Sequence, residues 1–221
     1  MMAQEKSTDG TSIHEENVQP RKPRVLLAAS GSVAAIKFGN LCHGFLEWAD
    51  VKAVATKSSL HFIDKVSLPR DVILYTDEDE WSTWKKIGDG VLHIELRKWA
   101  DMMVIAPLSA NTLGKIAGGL CDNLLTCIIR AWDFEKPLFV APAMNTFMWN
   151  NPFTEHHLAM INKLRHPTHP PHHQETCLWG LREWRDGRAF SHLFHCGALF
   201  GFLKASTRSR QTTNPRLMGS V

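Results

Sequence analysis

Four short runs, residues 25–29, 51–55, 102–107 and 138–141, are apolar apart from Lys52 and lead into small, hydroxylated or amide-bearing residues. A run that stays apolar instead of alternating is buried on both faces, and sheets are covered on both faces when helices cross over between parallel strands. The first run leads to Ser30-Gly31-Ser32, and Val33, Ile36, Leu41, Phe45 and Trp48 then fall at helical spacing with Ser32 available as N-cap. The second leads to Thr56-Lys57-Ser58-Ser59, which is read as the opening of another helix. Two such units within ~40 residues predict a three-layer α/β/α domain, a Rossmann-like or flavodoxin-like parallel sheet.

Residues 71–75 read as a weaker strand, and Thr76-Asp77-Glu78-Asp79-Glu80 as a solvated, charged loop. Residues 111–130 carry a helical pattern broken at Gly118-Gly119, and residues 153–164 carry a last amphipathic helix. After Leu164 the periodicity stops. The expected organisation is a disordered arm over 1–22, one domain over 23–164, and an atypical, largely irregular tail over 165–221 with a short helix over 193–203.

The net charge of +3 hides an asymmetry. Of 25 Lys/Arg and 22 Asp/Glu, residues 1–164 hold 17 and 19, so the tail holds 8 and 3, with half of the twelve histidines. The tail has neither alternating bases and aromatics nor finger spacing, so no nucleic-acid partner is expected. No window approaches the ~20 apolar residues of a spanning helix, and the polar first 22 residues lack the apolar core of a signal peptide. Five cysteines without a leader point to reduced thiols and a cytoplasmic location.

Three strand exits offer the same chemistry: Gly31-Ser32, Thr56 to Ser59, and Ser109-Ala110-Asn111-Thr112. Hydroxyls and free N–H groups at helix starts hold a phosphate without a dedicated cation, although each exit alone is also an ordinary cap. The first turn lacks G-x-G-x-x-G, so a mononucleotide fits better than a nicotinamide dinucleotide. At the fourth exit, Asn145 presents an amide suited to a carboxylate or an oxyanion, or else it simply forms a turn. His93, among apolar neighbours in Val91-Leu92-His93-Ile94-Glu95-Leu96, is either a hydrogen-bonded structural histidine or a base.

Several stretches resemble the homo-oligomeric flavin-containing Cys decarboxylases, specifically the plant phosphopantothenoylcysteine decarboxylases. They are Ser30-Gly31-Ser32-Val33-Ala34-Ala35, Leu92-His93-Ile94-Glu95-Leu96, the segment from Ser109 through Gly118-Gly119-Leu120-Cys121-Asp122-Asn123 to Leu125, and Pro142-Ala143-Met144-Asn145 with Met148-Trp149. The resemblance runs from about Pro23 to Leu164. It implies FMN at a subunit interface of a homotrimer, contacted by Gly31, Ser32, Val33, Thr56, Ser58, Ser59, Phe62, Ser109, Ala110, Asn111, Thr112 and Ala143. It further implies 4'-phosphopantothenoyl-cysteine as substrate, its carboxylate held by Asn145 with Met148 beside it, and His93 as the catalytic base. The product would be 4'-phosphopantetheine, on the route to coenzyme A.

The family's substrate flap, Cys-Gly-Asp-Tyr-Gly-x-Gly-Ala-Met, is absent from residues 165–221. Back-translating residues 165–190 with suitable synonymous codons and reading one nucleotide later restores it, within Gly-Ile-Pro-Leu-Ile-Pro-Pro-Ile-Thr-Lys-Lys-Leu-Val-Cys-Gly-Asp-Tyr-Gly-Asn-Gly-Ala-Met. The tail therefore reads as the same gene out of frame, through a splice variant or a shifted reading frame. On this reading Cys177 has no catalytic role, and His166, His169, His172, His173, Cys177, His192, His195 and Cys196 form no intended zinc site, so no metal is expected. Loss of the strand that precedes the flap is expected to leave a sheet edge unpaired, with lower stability and weaker assembly. Loss of the flap cysteine would impair the reductive half of the cycle, leaving as the alternative a regulatory or half-site subunit of a mixed trimer.

Overall fold

In the computed structural model, which describes residues 21–164, the buried runs become adjacent parallel strands. They are β1 (Arg24–Ala29), β2 (Asp50–Ala55), β4 (Met102–Leu108) and β5 (Leu138–Pro142), and the weaker run forms β3 (Ile73–Tyr75). The order is β3-β2-β1-β4-β5, so β1 is central and the winding direction reverses between β1 and β4. That reversal opens a crevice at the carboxyl ends of β1 and β4, where ligands bind in folds of this kind. Among the described residues β5 is an edge; the expectation of an unpaired edge rests on residues 165–221, which lie outside them.

Because successive residues of a strand face opposite sides, β1 feeds two cores. Val25, Leu27 and Ala29 pack with Phe38, Leu41 and Phe45 of α1 (Phe38–Leu46) and with the β2–β3 connection. Leu26 and Ala28 pack on the other side with residues of α3 (Leu92–Trp99), α4 (Ala110–Ala117), α5 (Leu124–Arg130) and α7 (Pro152–Leu164). Helices on both faces make the three-layer α/β/α architecture. The chain enters it through Asp101, whose carboxylate accepts hydrogen bonds from the Arg21 guanidinium at 2.7 and 2.8 Å and from the Arg24 N–H at 2.9 Å.

Several expectations need correction. Residues 33–37 form a 3-10 turn, and the α-helical period starts only at Phe38. Val33 and Ile36 consequently fall out of phase with the buried stripe and are 65% and 57% exposed. Beyond β2 there are two short 3-10 turns, Ser59–His61 and Lys65–Ser67, in place of a helix. The acidic run is not a loop: α2 (Asp77–Thr83) starts there, and the Asp79 carboxylate reaches back to the N–H and hydroxyl of Thr76 at 2.7 and 2.8 Å. Four acids in a first turn suit the positive end of the helix dipole, which offsets their mutual repulsion. The pattern over 111–130 splits into α4 and α5 at Gly118-Gly119, where Gly119 takes φ +71°, a conformation that ends a helix. The expected helix over 193–203 lies outside the described residues.

Candidate active site

Backbone and hydroxyl contacts pull the exits of β1, β2 and β4 into one assembly. Ser30, fully buried, accepts a hydrogen bond from the Ser109 N–H at 2.7 Å and donates its hydroxyl to the Pro107 carbonyl at 3.0 Å. The Thr56 N–H donates to the Ala29 carbonyl at 3.1 Å, and Thr56 and Ser59 bond one another, with the Ser59 hydroxyl on the Thr56 carbonyl at 2.7 Å. A β-carbon built on Gly31 would lie 2.5 Å from Cβ of Ser58, so the β1 turn reaches the β2 turn only because its backbone is bare.

The three hydroxyl-rich exits are thus neighbours, and two of them also serve as caps. Ser32 Oγ accepts from the Ala34 N–H at 3.4 Å, and Ser109 Oγ from the Thr112 N–H at 3.3 Å. Val33 is exposed here, Phe62 is partly buried against the core beneath β2, and Ala110 and Asn111 lie in the first turn of α4. The Ala143 N–H donates to the Leu108 carbonyl at 2.9 Å, which brings the β5 exit alongside that of β4.

Asn145 caps α6 (Thr146–Trp149), its Oδ1 accepting from the Phe147 N–H at 2.9 Å. That contact fixes which end of the amide is used: the oxygen serves the backbone, and the NH2 is the end suited to an incoming anion. Met148 follows on the same turn and is half-exposed, while its carbonyl accepts from the Thr154 hydroxyl at 2.7 Å, tying α6 to α7.

His93 stands at the start of α3, on the opposite side of the sheet from α1. Its Nδ1 is hydrogen-bonded to Glu80 Oε1 of α2, and both side chains are mostly buried. Cys127 of α5 completes a cluster in which one ligand-type atom from each residue lies within 4.8 Å of the others. Burial, augmented by the nearby Glu80 charge, pushes the Cys127 thiol up to about 11, and its S–H donates to the Cys121 carbonyl at 3.5 Å. The histidines and cysteines of the tail lie outside the described residues.

Sequence reasoning missed Glu80, Asp77 and Cys127 and left Ser30 without a role. Thr76-x-x-Asp79 was the available sign of a helix start, since it has the form of a capping box. Nothing in a spacing of 13 residues joins Glu80 to His93.

Comparison with known proteins agrees with this geometry. The Flavoprotein family matches residues 13–186. A phosphopantothenoylcysteine decarboxylase of Arabidopsis thaliana is 79% identical over 157 residues, covering 71% of this chain and 75% of that protein. Among solved structures, a PPC decarboxylase cysteine-to-serine mutant complexed with pantothenoylaminoethenethiol superimposes with a TM-score of 0.65 at 83% identity, covering 65% of this chain and 79% of that one. The FMN binding protein AtHal3 gives 0.67 at 69% identity, covering 79% and 97%. With the winding reversal, the joined strand exits and these relatives agreeing, the chain belongs to the Flavoprotein family.

Proposed function

We propose that this chain is an FMN-dependent phosphopantothenoylcysteine decarboxylase, converting 4'-phosphopantothenoyl-cysteine to 4'-phosphopantetheine in coenzyme A biosynthesis. The observation that carries the reading is the cradle formed where β1, β2 and β4 end, with Asn145 at the exit of the adjoining β5. The names of the relatives agree with it. The residues present fit FMN: bare backbone at Gly31 and hydroxyls at Ser32, Thr56, Ser58, Ser59, Ser109 and Thr112 suit a phosphate monoester. Val33, Phe62, Ala110, Asn111 and Ala143 complete its contacts in this reading. When bound, FMN supplies reversible two-electron chemistry that no side chain here offers.

Asn145 holds the substrate carboxylate through its amide NH2, and Met148 supplies an apolar wall beside it. His93 removes a proton from the substrate. Loss of CO2 is easy once the electrons left behind can delocalise, and a thiocarbonyl would provide that sink, the two electrons lost by the substrate's thiol-bearing carbon being those that FMN held in the cradle would accept. Exposed Val33, Ile36, Phe147 and Phe153 suit burial against further copies of the chain, and the assembly is a homotrimer in the cytoplasm. No helix of the described residues is long and apolar enough to cross a membrane.

The missing flap motif favours a second reading, a non-catalytic or half-site subunit of a mixed trimer of the phosphatase-regulator type. The experiment supplies FMN and substrate and follows flavin absorbance, CO2 and product mass. Bleached flavin and released CO2 support the enzyme. If neither appears while FMN binds, the half-site reading replaces it.

A further inference from the structure

Resting on His93 as the base, we propose that Glu80 is the positioning residue of the proton-abstraction step: it holds the His93 Nδ1–H so that Nε2 presents its lone pair to the substrate. The contact joins two helices that share no sequence signal. Glu80 lies on α2 and His93 opens α3, and the bond engages Nδ1 specifically. An ionised carboxylate can only accept, so the proton of a neutral imidazole sits on Nδ1 and Nε2 is left basic. When Nε2 takes the substrate proton the ring becomes imidazolium, both nitrogens carry hydrogen, and Glu80 remains a carboxylate that stabilises the new charge.

The rest of the surroundings keep the pair in place. The Asp77 carboxylate accepts the Leu124 N–H at 2.9 Å, pinning the start of α2 to the start of α5. Asp79 ties the same turn to Thr76, and Thr83 closes its last turn by donating its hydroxyl to the Asp79 carbonyl at 2.9 Å. Cys127, the third neighbour, keeps its proton and donates it to the Cys121 carbonyl, so it does not compete for the Nδ1–H as a thiolate. Among the described residues Glu80 therefore faces a single strong donor, which is what an orienting residue requires.

The test measures single-turnover flavin reduction by substrate in the FMN-loaded full chain, for wild type, Glu80→Gln, Glu80→Leu, His93→Asn and the double variant Glu80→Gln/His93→Asn. Gln keeps an acceptor and loses the charge, so a rate loss of about 10-fold is expected; Leu loses both, for about 100-fold, with substrate affinity within about two-fold in each. The double variant should be no slower than His93→Asn alone, because Glu80 acts through the ring. Additive losses, or an unchanged rate in Glu80→Leu, overturn the proposal while leaving His93 as base; full activity of His93→Asn refutes the base itself. A readout independent of turnover is the ring tautomer. In 15N-histidine protein, with His93 assigned by its disappearance in His93→Asn, the proton should reside on Nδ1 and leave that preference in Glu80→Leu. A proton on Nε2 in wild type overturns the proposal whatever the activity.

Discussion

Gly31 and Ser58 stand so close that a methyl group on the first would come within 2.5 Å of Cβ of the second. Both atoms belong to short turns at strand ends, so relief requires one turn to retreat from the other. Gly31→Ala is expected to cost about 1–3 kcal/mol of stability, as overpacking does, and to weaken FMN binding at least about 10-fold by spreading the cradle. Fluorescence titration of the apoprotein with FMN, beside a urea melt, checks both. Unchanged affinity would remove Gly31 from the cofactor site.

Ser30 makes a separate prediction. Its hydroxyl is the partner of the buried Ser109 N–H, and Pro107 retains the Ser30 N–H at 3.0 Å whatever the side chain. Ser30→Ala therefore orphans one donor, and about 1–3 kcal/mol should be lost in denaturant unfolding. Ser30→Thr, which keeps the hydroxyl, should lose less if its extra methyl is accommodated.

How much of this was visible in the sequence depends on where each interaction is made. β1, β2, β4 and β5 were legible because strands covered on both faces are almost continuously apolar, Lys52 being the one charge within the runs, and α7 because its period is regular. The 3-10 turn at Val33–Lys37 was not, since it keeps a helical composition and only shifts the phase. α2 was read as a loop because its charges were visible while its tether, Asp77 on the Leu124 N–H 47 residues away, was not. The hydroxyls of the cradle were found individually as caps; their joining through Ser30 is tertiary.

Acid should loosen the entry of the chain. Burial alone would raise the Asp101 carboxyl, but hydrogen bonds from the Arg21 guanidinium and the Arg24 N–H, with both positive charges, outweigh it and hold it below the ordinary 3.8. A depressed carboxyl stabilises the fold above its unfolded value, and that contribution is lost as pH falls through the native value. The stability gap between wild type and Asp101→Asn should thus be flat above about pH 5 and shrink on acidification below about pH 4. Arg21 is largely solvent-exposed, so the gap is modest, about 0.5–1 kcal/mol. A gap that widens in acid would contradict the assignment.

Thiol reactivity offers an independent check on the packing. Burial pushes Cys42 up to about 12 and Cys127 up to about 11, whereas Cys121 is exposed. Among the described cysteines, iodoacetamide at about pH 8, followed by peptide mapping, should modify Cys121 first, Cys127 at least about 10-fold more slowly, and Cys42 only after unfolding. Early labelling of Cys42 would mean that α1 does not seal the core it covers.

Ser30 fastens β1 to β4 just where the winding direction changes, the place at which the two halves of the sheet could most easily part. Anything that settles over that seam must press on both halves at once. Amide hydrogen exchange should therefore register cofactor loading as a slowing shared by the central pair of strands, ahead of the outer ones, so that occupancy is felt as rigidity by residues that never touch the flavin.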